Sequence, residues 1–401
     1  MRPMKVLTVG GAMIDTIAII DSGRIERMSM LNADSSFLLL EEGRKTEAEE
    51  VSTHAGGGAV NAAVAMARLG MDVAVLAKLG ADARAETILQ RLEQEGVSTA
   101  WVKRDPRSPT GASVFISSHD RNAAIFTFRG ANTLLQDTDL HDEAFAVQVV
   151  YIANLSNESA DCFPAIVERA KKHGALVAAN PGPRQLSARG RAFFESLAAI
   201  DILILNQIEA DLLVPRLIAR WGEGGPALTF SPGEPVPALA ARGLVGGGFE
   251  MSIVSYLRAL TQVGPQYVII TDGARGAFIG SHDEILFSPA LETKIVGTAG
   301  AGDAFGATLT AYLALGRRID EAVSAATINS ASVVEHVDTQ TGLLRRHELD
   351  QKAAATARSA PRWCSRLPRR PGRAGVCDLP HRCRTRQPAP SRCRCANRQS
   401  G

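Results

Sequence analysis

A carboxylate at the start of a glycine-rich helix is the strongest chemical signal in the sequence. Residues 298–305 have the sequence Thr-Ala-Gly-Ala-Gly-Asp-Ala-Phe, and an apolar helical pattern follows them. Small residues at a helix start expose backbone N–H groups, which bind anions together with the helix dipole. Asp303 would lie beside such an anion and could accept a proton from an attacking hydroxyl. A glycine-rich turn with Asp in the first helical turn would explain the same residues without chemistry.

A second glycine-rich turn lies nearer the start of the chain. Gly56, Gly57 and Gly58 precede a helical pattern over residues 59–69. Glycine lets a backbone approach a ligand closely. Asn61, one turn into the helix, could hydrogen-bond a sugar hydroxyl. A flexible strand-to-helix turn with a surface Asn is the alternative interpretation.

Two further polar turns follow apolar strand patterns. Asn206 and Glu209 come directly after the pattern at 201–205, and residues 271–276 (Thr-Asp-Gly-Ala-Arg-Gly) follow another. Ligands of open parallel sheets bind at the carboxyl ends of strands, and Glu209 could hold the water shell of Mg²⁺. A helix-capping Asn with a first-turn Glu, and a simple β-turn, are the structural alternatives.

The elements that must position these residues alternate between strand and helix. Strands are predicted at 5–9, 73–77, 149–153, 176–179, 202–205, 267–271 and 276–279, and helices at 59–69, 85–95, 160–173, 190–198, 209–213, 303–315 and 319–335. This alternation predicts an α/β fold, a doubly wound and mainly parallel sheet with helices on both faces. The β-rich stretches at about 16–53 and 113–128 break the alternation and predict a small second sheet. They include strand patterns at 16–20, 36–40, 49–53, 113–117 and 125–128, with a turn at 120–122.

Charge and cysteine content divide the chain into two parts. Residues 358–401 hold 12 Arg, no Lys and one acid, whereas residues 1–357 hold 32 basic and 41 acidic residues. An acidic body is not typical of a nucleic-acid-binding protein. The body has one cysteine, Cys162, no apolar run long enough to span a membrane, and an acid, Asp15, within its apolar start. These features predict a cytoplasmic protein without a membrane partner.

Two segments fall outside the alternation. Residues 222–248 hold eight Gly and four Pro, which predicts a loop insertion. We predict one domain over residues 1–351 and a tail, 352–401, that is rich in Arg, Pro and Cys and too poor in apolar residues to join a core. Such a tail is disordered or not native, for example an out-of-frame translation of a GC-rich gene. A nucleic-acid-binding arm and a zinc site are the alternatives, although Cys393 and Cys395 lack a second pair at zinc-finger spacing.

The order and spacing of these motifs resemble the ribokinase-like (PfkB) carbohydrate kinases over residues 5–342. Residues 56–70 are similar to the first signature of that family, and residues 298–305 to its second, more specific signature. Residues 130–132 (Gly-Ala-Asn) and 180–183 (Asn-Pro-Gly-Pro) resemble ribokinases in particular. The resemblance implies that the small sheet is a lid over a sugar and joins two subunits in a homodimer.

The resemblance also implies a role for individual residues. Asp303 matches the catalytic base, and an anion hole is matched by the backbone amides of Gly300, Ala301 and Gly302. Substrate-binding positions are matched by Asp15, Gly57, Asn61 and Asn154. ATP-site positions are matched by Asn206, Thr271, Gly273, Gly276 and Asn329, and the position that organises Mg²⁺ by Glu209.

Three features depart from the family pattern. Gly297 stands where the family commonly has an Asp that serves a K⁺ site, so we expect little activation by K⁺ unless Asp338 replaces that charge. Asn154 stands where ribokinases often have Glu, which leaves the identity of the sugar open. The insertion at 222–248 is longer than the family pattern and would reshape the nucleotide entrance.

These observations predict an ATP-dependent sugar kinase that phosphorylates a primary hydroxyl of a small sugar, with ribose as the first candidate. A hexose or keto-sugar kinase is one alternative. Another is a nucleoside kinase of the adenosine type, in which Phe115, Phe126 and Phe128 would hold the base. The alternative from another class is a non-catalytic sugar sensor, against which the presence of Asp303 argues.

Overall fold

The structure is a computed structural model that describes most of the 401 residues. It describes residues 3–21, 43, 45–117, 123–228, 230 and 236–355, and the backbone of 362–366. The chain divides into two units, Met1–Leu367 and Pro368–Gly401, and the described residues all belong to the first unit. The strand predicted at 36–40 and the turn predicted at 120–122 lie outside the described residues.

A nine-stranded sheet occupies the centre of the described part of the chain. In spatial order it contains β4 (Asp72–Leu76), β1 (Lys5–Val9), β9 (Val149–Ile152), β10 (Leu176–Ala179), β11 (Ile202–Asn206), β14 (Tyr267–Thr271), β15 (Ala277–Gly280), β16 (Glu284–Ser288) and β17 (Arg362–Arg366). The first six strands are parallel and the last three are antiparallel. The carboxyl ends of β1, β9, β11 and β14 therefore meet at one edge of the sheet.

Helices cover both faces of this sheet. One face packs against α1 (Gly58–Arg68), α2 (Ala83–Gln94), α10 (Ala301–Ala314), α11 (Ile319–Val334) and α12 (Arg346–Ala355). The other packs against α3 (Phe163–Lys172), α4 (Pro183–Ala188), α5 (Gly190–Ser196), α6 (Gln207–Asp211), α7 (Val214–Trp221), α8 (Ala238–Arg242) and α9 (Ile253–Val263). Successive side chains of one strand point to opposite faces of the sheet. Val6 therefore packs in the core on the side of α1 and α10, and Leu7 in the core on the side of α3 and α9.

A separate four-stranded sheet contains the strands that were predicted to form a lid, and this name is kept for it. Its order is β3 (Glu50–Gly56), β2 (Met13–Ile19), β7 (Gly111–Ser117) and β8 (Ala124–Phe128). Two short pairs complete the described strands, β5 (Lys78–Leu79) with β6 (Lys103–Arg104) and β12 (Leu244–Gly246) with β13 (Phe249–Met251). The predicted α/β fold with its smaller sheet is thus confirmed.

Register assigns the lid residues to two faces. Asp15 of β2 lies opposite Ser113 of β7, whereas Val114 lies opposite Phe126. Because side chains alternate along a strand, Phe126 and Phe128 point away from the face that carries Asp15. Phe115 shares the face of Asp15, so the predicted cluster of three Phe residues is divided between the two faces.

Several element boundaries differ from prediction, and the elements that were not predicted include α7, α9 and β16. The helix predicted at 160–173 begins at Phe163, after a 3₁₀ segment at Asn157–Cys162, because Pro164 fits only the first turn of a helix. The predicted insertion at 222–248 contains α8 and β12. Beyond the predicted domain boundary at 351, α12 continues to Ala355 and β17 pairs with β16.

None of the described helices is long and apolar enough to cross a bilayer.

Candidate active site

The turn between β3 and α1 brings the lid strands against the start of α1. Gly57 has a φ of +96°, and a methyl group there would lie 2.5 Å from the carbonyl oxygen of Gly11. Only glycine fits such an approach. A methyl group at the next residue, Gly58, would lie 3.5 Å from Asp303 Oδ1 and 3.8 Å from Asn154 Oδ1. The turn therefore marks a point at which several predicted site residues converge.

Asp303 is held by Asn61. Asn61 Nδ2 donates a hydrogen bond of 2.8 Å to Asp303 Oδ2. Asn61 Oδ1 accepts hydrogen bonds from the Thr339 hydroxyl at 2.9 Å and from Gln340 Nε2 at 3.1 Å. These two donors fix the amide orientation, because only the amide oxygen can accept them. Asn61 was predicted to bind sugar; in the structure it positions Asp303, and its second Nδ2 hydrogen is the donor that a ligand could use.

The start of α10 places backbone amides beside the Asp303 carboxylate. Gly300 takes the left-handed conformation with a φ of +78°, and a methyl group there would lie 2.6 Å from Thr339 Cβ. Asp303 is in the first turn of the helix. Burial raises the pKa of Asp303, whereas the hydrogen bond from Asn61 lowers it. The result is a desolvated carboxylate at the positive end of a helix.

Asp15 lies in the middle of β2, on the face of the lid described above. Its carboxylate accepts a hydrogen bond from the Ser113 hydroxyl. Burial raises the pKa of Asp15 to about 6, with a hydrogen bond from Ser113 opposing the rise and the charge of Asp303 adding to it. That electrostatic effect indicates that the two carboxylates share one region, as predicted for substrate-binding and catalytic groups.

The turn after β11 contains a reciprocal capping box. Asn206 Oδ1 accepts from the amide of Glu209, and Glu209 Oε2 accepts from the amide of Asn206, each at 2.9 Å. The helix-capping interpretation of Asn206 and Glu209 is therefore correct. The capping box uses only Oε2 of Glu209, so Oε1 is the carboxylate oxygen that a ligand could contact. Burial raises the pKa of Glu209 to about 7, and the charge of Asp303 contributes to the rise.

The predicted ATP-site residues divide into two groups. Thr271 ends β14, and Gly273 and Gly276 form the turn into β15, next to the carboxyl end of β11. Asn329 is in the interior, where Nδ2 donates to Thr308 Oγ1 and Oδ1 accepts from the amide of Leu344. The Asn329 side chain thus ties α11 to its neighbours and is not brought together with the rest of the site.

Sequence reasoning missed the residues that hold the site in place. Ser113 contacts Asp15, and Thr339 and Gln340 contact Asn61. The one signal for Ser113 is its polar side chain inside the apolar strand pattern of β7. The residues of the 338–341 loop carry no local pattern, because they meet their partners about 280 positions away along the chain.

Comparison with known proteins identifies the family of the chain. The family model for pfkB family carbohydrate kinases matches residues 25–346. A deoxyribokinase of Salmonella typhi is 26% identical over 328 residues, which cover 81% of this chain and 94% of that protein. A ribokinase of Haemophilus influenzae is 25% identical over 294 residues, covering 73% and 85%. The structure of a putative ribokinase II of E. coli in complex with ATP and Mg²⁺ has a TM-score of 0.66 at 18% identity, covering 88% of this chain and 99% of that one.

The fold, with its mostly parallel sheet and smaller second sheet, is that of the ribokinase-like kinases. The chain belongs to the pfkB family of carbohydrate kinases. It is therefore an ATP-dependent phosphotransferase that acts on a carbohydrate or a related acceptor.

Proposed function

We propose that the protein transfers the γ-phosphoryl group of ATP to a primary hydroxyl of a small sugar, with ribose as the first candidate. The observation that carries this proposal is the Asp303 carboxylate at the start of α10, held by Asn61 and close to Asn154. Relatives named ribokinase and deoxyribokinase support a pentose. A sugar sensor would need no carboxylate in this position.

Asp303 is the group that we assign to proton transfer. As the acceptor hydroxyl attacks the γ-phosphorus, Asp303 takes its proton, and the bond from phosphorus to the bridging oxygen of ADP breaks. The amides of Gly300, Ala301 and Gly302 face the transferring group and stabilise its charge. Phosphoryl transfer needs mainly positioning and charge stabilisation of this kind.

The acceptor sugar is assigned to the space between the lid and α1. Asp15 accepts hydrogen bonds from sugar hydroxyls, and Asn154 contributes an amide that can both donate and accept. Gly57 lets the turn before α1 pack against the Gly11 backbone, which brings the start of lid strand β2 to this space. Asp15 must be ionised to act as an acceptor on both oxygens, so sugar affinity rises as pH increases through about 6.

Magnesium is assigned to the side of the site that contains Glu209. Burial raises the pKa of both Glu209 and Asp303, and a nearby cation would stabilise the ionised form of each carboxylate. Oxygen ligands of this kind suit Mg²⁺, which usually keeps several waters. Bound with ATP, Mg²⁺ neutralises charge on the phosphates. Asn206, Thr271, Gly273 and Gly276 line the edge of the sheet on which the nucleotide would lie.

A nucleoside kinase is the second candidate. The lid face that carries Asp15 also carries Phe115 and Ile125, which lie opposite one another. An apolar pair beside a hydroxyl-binding carboxylate would suit a nucleoside, whose base is apolar on its faces. Phe126 and Phe128 belong to the other lid face and do not contribute to such a slot.

A coupled assay of ADP formation over a panel of pentoses, hexoses and nucleosides tests the proposal. We expect the highest kcat/KM for ribose or 2-deoxyribose. A preference for adenosine that is lost in Phe115→Ala would establish the second candidate. Sugar binding without ADP formation by any acceptor would contradict the assignment of a catalytic role to Asp303.

A further inference from the structure

A cavity of about 240 Å³ lies on the far side of Asn61 from Asp303. Three parts of the fold form its walls: lid strand β3, helix α2 and the loop at 338–341. The side chains that matter are His54 of β3, Gln90, Arg91 and Gln94 of α2, and Asp338 and Gln340 of the loop. The cavity is therefore bordered by both the lid and the body of the kinase.

A directed chain of hydrogen bonds links this cavity to the catalytic carboxylate. Arg91 Nε donates to Gln340 Oε1 at 2.9 Å, and Gln340 Nε2 donates to Asn61 Oδ1 at 3.1 Å. Asn61 Nδ2 then donates to Asp303 Oδ2 at 2.8 Å. Each amide is oriented by its predecessor, since its oxygen must face the incoming donor and its nitrogen the next acceptor. Gln340 Nε2 also donates to the Ala55 carbonyl oxygen at 2.8 Å, and Asn61 Oδ1 also accepts from Thr339, so Arg91 is one of several groups that fix the orientation of Gln340 and, through it, of Asn61.

Arg91 contributes a cationic group to the α2 wall of the cavity. Arg68 and Arg91 both pair with Glu95, and hydrogen bonding from Arg68, together with the charges of Arg68, Arg91 and Arg345, lowers the pKa of Glu95 against the effect of burial. Because Glu95 is shared with Arg68 and Arg345, which do not line the cavity, it neutralises the cavity-lining Arg91 only in part. His54 adds an imidazole from the opposite, lid side.

The floor of the cavity has a different chemistry. Asp338 Oδ1 accepts the amides of Gln340 and Thr341, each at 2.8 Å, and these bonds disperse its charge. The Asp338 carboxylate and the two glutamine amides of α2 are groups that recognise hydroxyls. A ligand that complements the cavity would place an anionic group between Arg91 and His54. Its hydroxyl groups would hydrogen-bond to the polar side chains of the floor and of α2, which are Asp338, Gln90 and Gln94.

We propose that this cavity is a regulatory site for a small hydroxylated anion, a phosphate monoester or a hydroxy acid, which activates the kinase. The volume fits such a metabolite and is smaller than most drug-sized sites. Bound between Arg91 and His54, the ligand holds the lid strand to the body and fixes Arg91 in the position in which it donates to Gln340. A ligand shifts the population toward the arrangement that it binds best.

The binding part of this proposal can be tested without catalysis. Calorimetry without nucleotide or sugar would use glycerol 3-phosphate as the phosphate monoester and L-malate as the hydroxy acid. Gln94→Glu adds a negative charge to the cavity wall at an exposed, isosteric position and should weaken binding at least tenfold. Arg84→Gln makes the same change in charge at an exposed position of α2 outside the cavity and should leave binding unchanged.

The ligand that binds decides between the two anion classes. Binding of neither probe, or equal binding by Gln94→Glu and the wild type, would overturn the site. If Gln94→Glu does not fold, Gln90→Glu provides the same test from the preceding turn of α2.

The regulatory part rests on the proposed kinase activity. The bound probe should lower the sugar KM or raise kcat at least threefold in the wild type and not in Gln94→Glu, whose activity without the probe is expected to be unchanged. Arg91→Gln should lose both binding and activation, and its basal kcat should fall because Gln340 Oε1 loses its donor and Gln340 holds Asn61 less firmly. Binding without a kinetic effect would overturn the regulatory role, whereas binding by a protein that phosphorylates no acceptor would refute the proposed function and leave the site supported.

Discussion

Asp303 combines two requirements that oppose each other. Burial at the start of α10 favours its neutral form, but a proton acceptor must be ionised when the acceptor hydroxyl attacks. The hydrogen bond from Asn61 favours the ionised form, because the amide N–H donates to a carboxylate more strongly than to a carboxylic acid. For the proposed role of Asp303 as a base, Asn61 therefore both orients the carboxylate and favours the ionised form that this role needs.

Replacing Asp303 with Asn tests its role as the base. Asp303→Asn keeps the size and most contacts of the side chain but removes the proton acceptor. We expect kcat to fall by roughly 10²–10⁴-fold, the usual contribution of a positioned base. ATP and sugar dissociation constants, measured by calorimetry, should stay within a few-fold of the wild type. Turnover near the wild-type rate would remove Asp303 from this role.

The raised pKa of Asp15 predicts how its substitution changes stability with pH. Folding raises the pKa of Asp15 from 3.8 to about 6, so the folded state binds the proton more tightly than the unfolded state does. The resulting contribution to the free energy of unfolding is fully present below about pH 4 and is lost as pH rises through 6. Asp15→Asn removes the ionisation. Relative to the wild type, the free energy of unfolding of this variant should increase by on the order of 3 kcal/mol between pH 4 and pH 8.

Denaturant unfolding of both proteins at several pH values measures this difference and cancels the contribution of all other groups. A difference that stays constant with pH would mean that Asp15 is not desolvated. The same substitution should raise the sugar KM at pH 8, where Asp15 of the wild type is ionised.

Gly297 determines the expected response to monovalent cations. It has no side-chain ligand, and Asp338, the predicted substitute, already accepts two backbone amides beside the cavity described above. We expect less than a twofold change in kcat when K⁺ is replaced by a bulky organic cation at constant ionic strength. Strong, saturable activation by K⁺ would contradict this.

Restoring the acid at this position is not straightforward. A methyl group at Gly297 would lie 2.9 Å from the carbonyl oxygen of His336 and 3.1 Å from that of Val337. Gly297→Asp must displace that segment, so we expect a lower melting temperature rather than a simple gain of a cation site.

The lid is an element whose two faces do different things. The face with Asp15 and Ser113 is assigned to the substrate. The other face carries exposed apolar side chains, since Val51, Val114, Phe126 and Phe128 are 62%, 40%, 58% and 51% exposed. A small sheet with one apolar face exposed is stabilised when a second layer covers it.

We predict that a second copy of the chain covers this outer face. Sedimentation at micromolar concentration should detect a dimer, and Phe126→Ser should weaken it at least tenfold. Val236→Ser removes a similarly exposed apolar side chain outside the lid and serves as the control. A wild-type protein that sediments as a monomer at these concentrations would contradict the prediction.

Sequence patterns predict the elements better than their contacts. The alternation of strands and helices predicted the sheet, because the apolar runs of β11 and β14 and the periodicity of α10 and α11 are local. Asp303, Gly57 and Asn61 were found in the same way, since each motif lies within one turn. Gln340 and Arg91 could not be found, because they meet only when α2 and the 338–341 loop pack together.

The lid shows the same limit. The phenylalanines of β7 and β8 look like one cluster in the sequence. The register between the strands, which the sequence does not specify, places Phe115 and Phe126 on opposite faces. For Asn329, its position along the chain suggested a ligand contact, and burial between α11 and α10 gives it a packing role instead.

The molecule as a whole joins an acidic kinase body to a basic C-terminal segment. Residues 1–357 carry nine more acidic than basic residues, and residues 358–401 carry eleven more basic than acidic ones. The family match ends at residue 346, so the family explains the body and not the segment that follows. Pairing of β17 with β16 is the point at which this segment joins the sheet.

Two truncations separate the part of this segment that joins the fold from the rest. A chain ending at Leu367 keeps α12 and β17, and its melting temperature and kcat/KM should match the full chain.

A chain ending at Gln351 loses the last turn of α12 and the whole of β17, which leaves the β16 edge unpaired. Each lost ladder hydrogen bond contributes about 1 kcal/mol, so we expect a fall of several degrees in melting temperature. Because β16 is distant in the sheet order from β9 and β1, kcat/KM at 25 °C should change less than twofold. Equal melting temperatures for the two truncations would show that β17 adds nothing to stability, and that the domain ends near residue 351 as the composition predicts.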